Sequence, residues 1–418
     1  MSALVGIVIT TVLAQTVPKE APKPVIIPIQ AVKISDDDGR RPAAITAAQV
    51  KRWIDYANEV YAGCGFRFRY AISDGLAERK STLLNNIDGT GDRDWLSSKR
   101  LGNEVAAKYP RRLTVLFRHG AGPNPAGKGF GWVDYDFMVM PGFEVTTVCG
   151  RQNIGLFAHE AGHYLGLLHT LTGAFETVAE ADAWLKDHNG EVSSFDGDGL
   201  SDTPPDPFIK ALQCGSDESV VLQGRKIVFD RSNIMGYWGH PRPTISPQQA
   251  EIVRWFVRRR QQSRMLLQSI PAVKSPLEAE ALQISERRGV RTSTRNMDIF
   301  GVGNWSGNTQ LSVFGEAGNG LTIDLPVEKT GRYQLSIYLT MGPDFGQIQP
   351  RLDGELLGST IDLFAPRVIT SGRVILATQT FQAGRHAIGI DITGKALSPQ
   401  HGCTSKSGPA CNRDRHHR

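Results

Sequence analysis

Residues 159–169 carry the most informative pattern of this 418-residue chain. They read His159-Glu160-Ala161-Gly162-His163-Tyr164-Leu165-Gly166-Leu167-Leu168-His169. His159 and His163 stand four positions apart, so on a helix both imidazoles leave the same face about one turn apart. That spacing lets two nitrogens reach one zinc ion at Zn–N distances of about 2.0–2.1 Å. The pattern therefore predicts a helix that carries a metal site.

The rest of the motif supplies what a catalytic zinc site requires. Gly166 allows the chain to leave the helix sharply, so that His169 returns to the metal as a third ligand. Three histidine ligands leave one coordination position for water, which is typical of catalytic zinc and not of structural zinc. Glu160 stands beside the first ligand and is placed to take a proton from that water. The motif predicts zinc-dependent hydrolysis.

A second segment, downstream, places a methionine in a tight-turn context. It reads Ser232-Asn233-Ile234-Met235-Gly236-Tyr237. The extended histidine motif followed by such a turn resembles the metzincin clan of zinc peptidases. Three blocks narrow the resemblance to the pappalysin (cytophagalysin) family, namely residues 159–170, 197–204 and 233–237.

The resemblance is specific over residues of about 150–240 and extends over about 25–265. It implies an α+β metzincin-like catalytic domain, with a twisted mixed sheet, active-site and backing helices, and zinc-dependent endopeptidase activity on protein or peptide substrates. It also implies that Met235 lies under the zinc site as a hydrophobic base. It implies that Tyr237 contacts the metal or polarises the substrate carbonyl, and the alternative for Tyr237 is a packed core tyrosine.

An acidic loop follows the histidine motif. Asp196, Asp198 and Asp202 are spaced with glycines between them, as in loops that bind hard cations. The resemblance also implies calcium near this loop. A regular EF-hand is excluded, because Pro207 stands where the bidentate glutamate would be. We expect a calcium ion here, and the alternative is an acidic turn without metal.

Hydrophobic periodicity places further elements around the motif, in a catalytic domain over residues 25–268. The predicted strands are Val25–Ile34, Phe66–Tyr70, Leu113–Phe117 and Trp132–Met140, and the predicted helices are Ile45–Ala62, Asn153–Leu167, Ala174–His188 and Ser246–Arg260.

The residue pattern of the sequence changes after this domain. Residues 269–289 have two prolines and mixed charges and are predicted to be a linker. Residues 290–396 lose helical periodicity, and short β-type runs separated by Gly and Pro turns predict an all-β sandwich. Its aromatic residues either bind a carbohydrate or surface ligand or fill its core; they are Trp305, Tyr333, Tyr338 and Phe345. Residues 397–418 are a polar, basic tail.

The N-terminus predicts secretion to an extracellular or periplasmic space, with which the cysteine count agrees only loosely. Residues 1–14 resemble a signal peptide with an apolar run and small residues before a cut after Ala14, and residues 15–24 form a Pro-rich lead-in. The alternative is a frayed apolar segment of a cytosolic protein. Five cysteines leave at least one thiol unpaired within the chain. Cys403 and Cys411 are expected to close a tail loop, and at most one bridge forms among the other three: Cys64, Cys149 and Cys214.

Composition excludes several classes of protein. The chain is 40% hydrophobic and 21% charged, which excludes disordered, collagen-like and coiled-coil chains. A net charge of +5 gives no case for a nucleic-acid partner, and no run is long enough to span a membrane. Two functions rival the zinc endopeptidase: a surface-binding protein with a vestigial peptidase domain, and a zinc amidase that acts on a non-protein substrate.

Overall fold

The structure, a computed structural model, describes residues 24–86, 101–119, 137–143, 147–239, 243–266, 277–300 and 305–395. Helices are α1 (Ala47–Val60), α2 (Thr82–Asn85), α3 (helical over 101–106), α4 (Leu156–Tyr164), α5 (Val178–Asp187) and α6 (Pro247–Leu266). N-terminal strands are β1 (Val25–Ser35), β2 (Phe66–Arg69), β3 (Ala77–Lys80), β4 (Leu113–Phe117), β5 (Phe137–Met140), β6 (Thr147–Val148), β7 (Arg151–Gln152), β8 (Ser219–Leu222) and β9 (Arg225–Val228). C-terminal strands are β10 (Ile284–Arg288), β11 (Arg291–Asn296), β12 (Thr309–Phe314), β13 (Gly320–Val327), β14 (Gly331–Met341), β15 (Gly346–Leu352), β16 (Glu355–Leu356), β17 (Ile361–Asp362), β18 (Ile369–Phe381) and β19 (Gly384–Lys395).

A parallel sheet of order β2-β1-β4-β5 organises the N-terminal part, and β3 pairs with the end of β1. Every residue of β4 and β5 is buried, as expected for parallel strands covered on both faces. The described strands of this sheet pair only in parallel, whereas a mixed sheet was expected. Of the predicted strand Trp132–Met140, residues 132–136 lie outside the described part.

Helix α1 packs on this sheet and positions α4. Its start is fixed by a capping box, in which the Thr46 side chain and Gln49 bond to each other's backbone N–H groups. Its apolar face is buried, and the Trp53 ring stacks on Phe117 of β4 at 6.2 Å between centroids. Just beyond α1, the Tyr61 hydroxyl donates a 2.7 Å hydrogen bond to the carbonyl oxygen of Ala158 in α4. The sheet thus fixes α4 through α1.

A second, smaller core lies beyond α4. It contains α5, the β8–β9 hairpin and residues that follow the histidine motif. The Thr177 side chain caps α5, and the Phe229 and Trp238 rings stack at 4.4 Å. Helix α6 then returns to pack against α4 and the parallel sheet, with Val253 and Val257 buried in the main core. The predicted helices are confirmed, with ends that differ by a few residues.

Residues 284–395 form an all-β part, which we call the C-terminal β region. One sheet has the order β10-β13-β19-β15-β16, with β17 against β15, while β11–β12 and β14–β18 form two-stranded sheets. Strand β10 lies inside residues 269–289, which were predicted to be a linker. Its apolar pattern is weak, and it is a strand because it pairs with β13. The chain as described is therefore mixed α and β, with several sheets and few helices.

The aromatic residues of the C-terminal β region divide between its interior and its surface. Trp305 is buried and donates a hydrogen bond to Thr340, and Phe345 is half-buried against the core. Tyr333 and Tyr338 are exposed. A carbohydrate or surface ligand for these side chains stays a prediction.

Several predictions fall on residues that the structure leaves undescribed. The predicted signal peptide, most of the lead-in, the tail and the expected Cys403–Cys411 bridge lie outside the described residues. Among the helices of the described part, none has the length and apolar character needed to cross a membrane.

Candidate metal centre

The three histidines of the motif converge on one point. His159 and His163 project from α4, and His169 returns after the chain has left that helix. The Nε2 atom of His169 lies 3.2 Å from Nε2 of His159 and 2.9 Å from Nε2 of His163. A tetrahedral zinc ion with Zn–N bonds of about 2.0–2.1 Å separates its nitrogens by roughly 3.3 Å. Within the described ranges, these three form the one group of three or more potential metal ligands.

The sharp exit from α4 depends on Gly166. Its φ angle is +92°, which a residue with a Cβ rarely adopts. A Cβ at this position would also enter the ring of Phe256 in α6. The Gly166 amide donates a hydrogen bond to the His163 carbonyl, and the Leu167 amide donates one to Gly162. These bonds close the helix end and turn the chain back toward the metal centre.

Hydrogen bonds to backbone carbonyls orient two of the rings. Nδ1 of His159 lies 2.7 Å from the Ile234 oxygen, and Nδ1 of His163 lies 2.8 Å from the Leu167 oxygen. A carbonyl only accepts, so both Nδ1 atoms carry the hydrogen, and in the neutral rings both Nε2 atoms then present lone pairs. His169 Nε2 has at most one hydrogen for two such neighbours. At least one pair of nitrogens therefore meets lone pair to lone pair, which a metal cation between them would relieve.

Burial suits these rings to metal binding. Withdrawal from water lowers the pKa of His159, and it lowers the pKa of His163 well below the usual range, with a smaller effect of the neighbouring histidines. The neutral imidazole is the form that binds a metal. The donor set and its protonation therefore fit a zinc ion.

Glu160 and Tyr237 flank the three histidines. Glu160 is a buried residue of α4 that follows the first ligand directly. The Tyr237 hydroxyl lies 3.1 Å from Nε2 of His169. Partial burial, and then the charge of Glu160, raise the pKa of Tyr237 to about 12. A phenol that stays protonated at neutral pH is able to donate a hydrogen bond.

The turn around Met235 lies directly beneath α4. Met235 is fully buried, and a Cβ added to Gly162 would collide with its sulfur atom. The Asn233 side chain accepts a 2.9 Å hydrogen bond from the Met235 amide. The preceding residue, Ile234, supplies the carbonyl that holds His159. The structure thus places Met235 against α4, and it places the carbonyl oxygen of Ile234 against His159, a candidate metal ligand.

The structure does not bring Asp196, Asp198 and Asp202 together as a metal site. Asp196 accepts from the Gly199 amide. Asp198 accepts from Thr203 and from Gln249, which in turn bonds Asn233 beside Met235. Asp202 accepts from the Ser246 hydroxyl and the Gln248 amide and so caps α6. The loop braces the methionine turn, and calcium there stays a prediction from the sequence.

Cys149 and Cys214 form a disulfide at the edge of the site, and Cys64 is a buried thiol. Cys149 lies in the turn of the β6–β7 hairpin just before α4, while Cys214 follows Gln213, whose side chain donates to the Tyr237 carbonyl. The cysteines are 65 positions apart. The covalent loop between them contains all three histidines.

Replacing both Cys149 and Cys214 with alanine should lower the free energy of unfolding by about 2–4 kcal/mol, because the cross-link no longer restricts the unfolded chain. Urea unfolding of the metal-free chain measures this. Dithiothreitol should destabilise the wild type and Cys64→Ala alike and leave the double variant unchanged. A wild type that is indifferent to dithiothreitol would contradict the prediction.

Sequence reasoning missed Asp206, which ties two sides of the site together. Its side chain is 1% exposed. It accepts a 2.9 Å hydrogen bond from Thr170, next to His169, and a 3.0 Å bond from the indole of Trp238, next to Tyr237. Desolvation raises the pKa of Asp206 to about 6, against the lowering effect of these two donors. A lone aspartate in a Pro-rich loop gives no signal of this role.

The raised pKa of Asp206 predicts a pH-dependent stability. The folded chain favours the protonated carboxyl, so this residue should cost stability as pH rises from about 4 to about 6, and no more above that. Asparagine can keep both partners without the charge. The stability of Asp206→Asn relative to the wild type should therefore rise by up to about 3 kcal/mol over that interval. Urea unfolding of both chains between pH 4 and pH 7 measures the difference, with exposed Asp187→Asn as control; a constant difference would contradict the prediction.

Comparison with protein-family models and with curated proteins finds no match. Solved structures give partial similarities. A Paenibacillus xanthan lyase is 24% identical over 31% of this chain and 12% of its own, with a TM-score of 0.27. A Podospora anserina β-(1,4)-mannanase is 19% identical over 30% and 28%, with a TM-score of 0.20. A two-domain esterase active on acetylated mannans is 10% identical over 90% and 88%, with a TM-score of 0.19. Similarity this limited assigns neither a family nor an activity.

Proposed function

We propose that this protein is a zinc-dependent endopeptidase with a pappalysin-like metzincin catalytic domain. The observation that carries the proposal is the convergence of three Nε2 atoms beside Glu160 and Tyr237. The position of Met235 under α4 supports the metzincin assignment, because it matches what the sequence resemblance implied. The parallel sheet with its helices and the smaller core with α5 lie on either side of α4. This arrangement supports a substrate cleft between the two.

The side chains around the histidines have distinct roles in this proposal. Bound zinc would supply a Lewis acid and lower the pKa of a coordinated water to about 7. Glu160 accepts the proton from the attacking water and later delivers it to the leaving amine. Tyr237, protonated at neutral pH, donates a hydrogen bond to the oxygen of the scissile carbonyl as negative charge develops there. Hydrogen bonds from Nδ1 of His159 and Nδ1 of His163 to backbone carbonyl oxygens fix the orientation of the two rings.

We further propose that the protein is secreted. The Cys149–Cys214 bridge supports this, because disulfides persist mainly in oxidising compartments. The presence of Glu160 beside the three histidines speaks against a vestigial peptidase, because a degenerate site is expected to lose first the carboxylate that binds no metal.

Hydrolysis of a quenched peptide library tests the proposal. The metal-free chain should be inactive, and one zinc equivalent should restore turnover. Tyr237→Phe should retain zinc and lose about 10- to 10³-fold in kcat, as expected when one donor to a developing oxyanion is removed. Stoichiometric zinc with no peptide turnover, but with release of ammonia from small amides, would favour the amidase. Zinc without either activity would favour the surface-binding protein.

A further inference from the structure

Phe256 of α6 connects the C-terminal β region to the metal centre. Its ring is fully buried. On one side it lies so close to Gly166 that no Cβ fits between them. On the other side it shares a core with Met341 and Ile369 of the C-terminal β region. A single side chain thus separates the turn between two metal ligands from a region that begins more than 100 residues later.

Two arginines strengthen the same junction. The guanidinium carbon of Arg367, in the C-terminal β region, lies 5.8 Å over the Phe256 ring. Arg260 of α6 is buried, stacks on the ring of Tyr164 at 3.5 Å, and donates a 2.9 Å hydrogen bond to the Tyr164 carbonyl. Arg260 therefore covers the C-terminal end of α4, and Arg367 covers the Phe256 ring that lies against Gly166.

Further contacts join α6 to the C-terminal β region. The Trp255 ring meets Phe364 edge-on at 6.5 Å between centroids. The Arg259 side chain donates a 3.3 Å hydrogen bond to the Ser371 carbonyl. Ala365 and Ile369 are fully buried in the shared core. A region attached only through a linker would not bury residues against the catalytic part in this way.

We propose that the C-terminal β region is a positioning element of the metal centre. Through Ile369 and its neighbours it holds Phe256 against Gly166, and Gly166 sets the path by which His169 returns to His163. That the metal is zinc rests on the proposed function; the mechanical connection does not. The region is then part of the catalytic unit, in addition to any surface ligand that it binds.

A pair of matched substitutions tests the proposal in the full-length chain. Ile369→Ala truncates a fully buried residue of the core that contains Phe256, while Ile323→Ala makes the same change in the separate core of the C-terminal β region. We expect Ile369→Ala to weaken zinc binding 10-fold or more in chelator competition, within the 10- to 100-fold typical of residues behind the ligands. It should also alter the visible spectrum of the cobalt-substituted protein. Ile323→Ala should change affinity less than twofold and leave the spectrum intact.

A second pair covers the case in which Ile369→Ala does not fold. Arg367→Gln loses the charge over Phe256, and Arg385→Gln loses a comparable charge whose partner, Asp324, lies within the C-terminal β region. The first should reproduce the cobalt spectral change, and the second should not. Equal zinc affinities and spectra for wild type, Ile369→Ala and Arg367→Gln would overturn the proposal.

A readout without metal separates this proposal from the proposed function. In the metal-free chain, amide hydrogen exchange of residues 156–170 should be at least 10-fold faster in Ile369→Ala than in Ile323→Ala, because the turn loses its support. This outcome would stand even if the protein hydrolysed no peptide. Unchanged exchange in Ile369→Ala would overturn the positioning role while leaving the protease assignment intact.

Discussion

Glu160→Gln should reduce kcat/KM for peptide hydrolysis by about 10²- to 10⁴-fold, the usual contribution of a general acid–base group. Glutamine has nearly the same shape as glutamate, and it cannot accept the proton of the attacking water. The three histidines, and not Glu160, form the group that can hold the ion. The variant should therefore still bind one zinc per chain, and steady-state kinetics together with metal analysis measure both quantities.

The control for this experiment is Glu59→Gln. Glu59 is an exposed residue of α1, so the same loss of charge should leave both zinc content and kcat/KM near the wild-type values. Full activity in Glu160→Gln would contradict the proposed mechanism. Loss of zinc along with activity would instead indicate that Glu160 acts through the fold of the site.

Gly166→Ala should lower the free energy of unfolding by about 3–5 kcal/mol. Two costs combine. An alanine at φ +92° is strained by on the order of 1–3 kcal/mol. Its Cβ would also enter the buried ring of Phe256, which adds a similar overpacking cost. Relief requires the chain between His163 and His169 to move, so zinc affinity should fall as well. Urea unfolding of the metal-free chain and chelator competition measure the two effects.

Two other glycines separate these costs. Gly199 has a φ of +72° but open space around its Cβ position, so Gly199→Ala should show the strain alone. Gly173 also has open space, and its φ lies outside the left-handed region, so Gly173→Ala should be close to neutral. The prediction fails if Gly166→Ala is no more destabilising than Gly199→Ala, since Phe256 would then yield at no cost.

The sequence is most informative where a residue's chemistry and spacing act together. The four-residue spacing of His159 and His163 allows few geometries, so their convergence with His169 could be predicted without a structure. The positive φ at Gly166 follows from the same need for a sharp exit from the helix.

Contacts between distant segments are what sequence reasoning missed. Asp206 has no neighbour in sequence that explains its burial, and its partners Thr170 and Trp238 become adjacent only after folding. The spacing of Asp196, Asp198 and Asp202 favoured a cation, yet folding supplies protein donors to the same oxygens. Strand β10 has a weak apolar pattern, and it is a strand because β13 pairs with it. Long-range partners decide such cases.

The disulfide has a consequence for the integrity of the chain. A protease that cuts one peptide bond between Cys149 and Cys214, which are 65 positions apart, produces two polypeptides that remain one covalent molecule. The disulfide holds both pieces together, and neither can diffuse away. Such a nick would pass unnoticed on a non-reducing gel and appear as two bands only after reduction. A self-digesting enzyme would thus keep its histidines in one particle after its first internal cut in this loop.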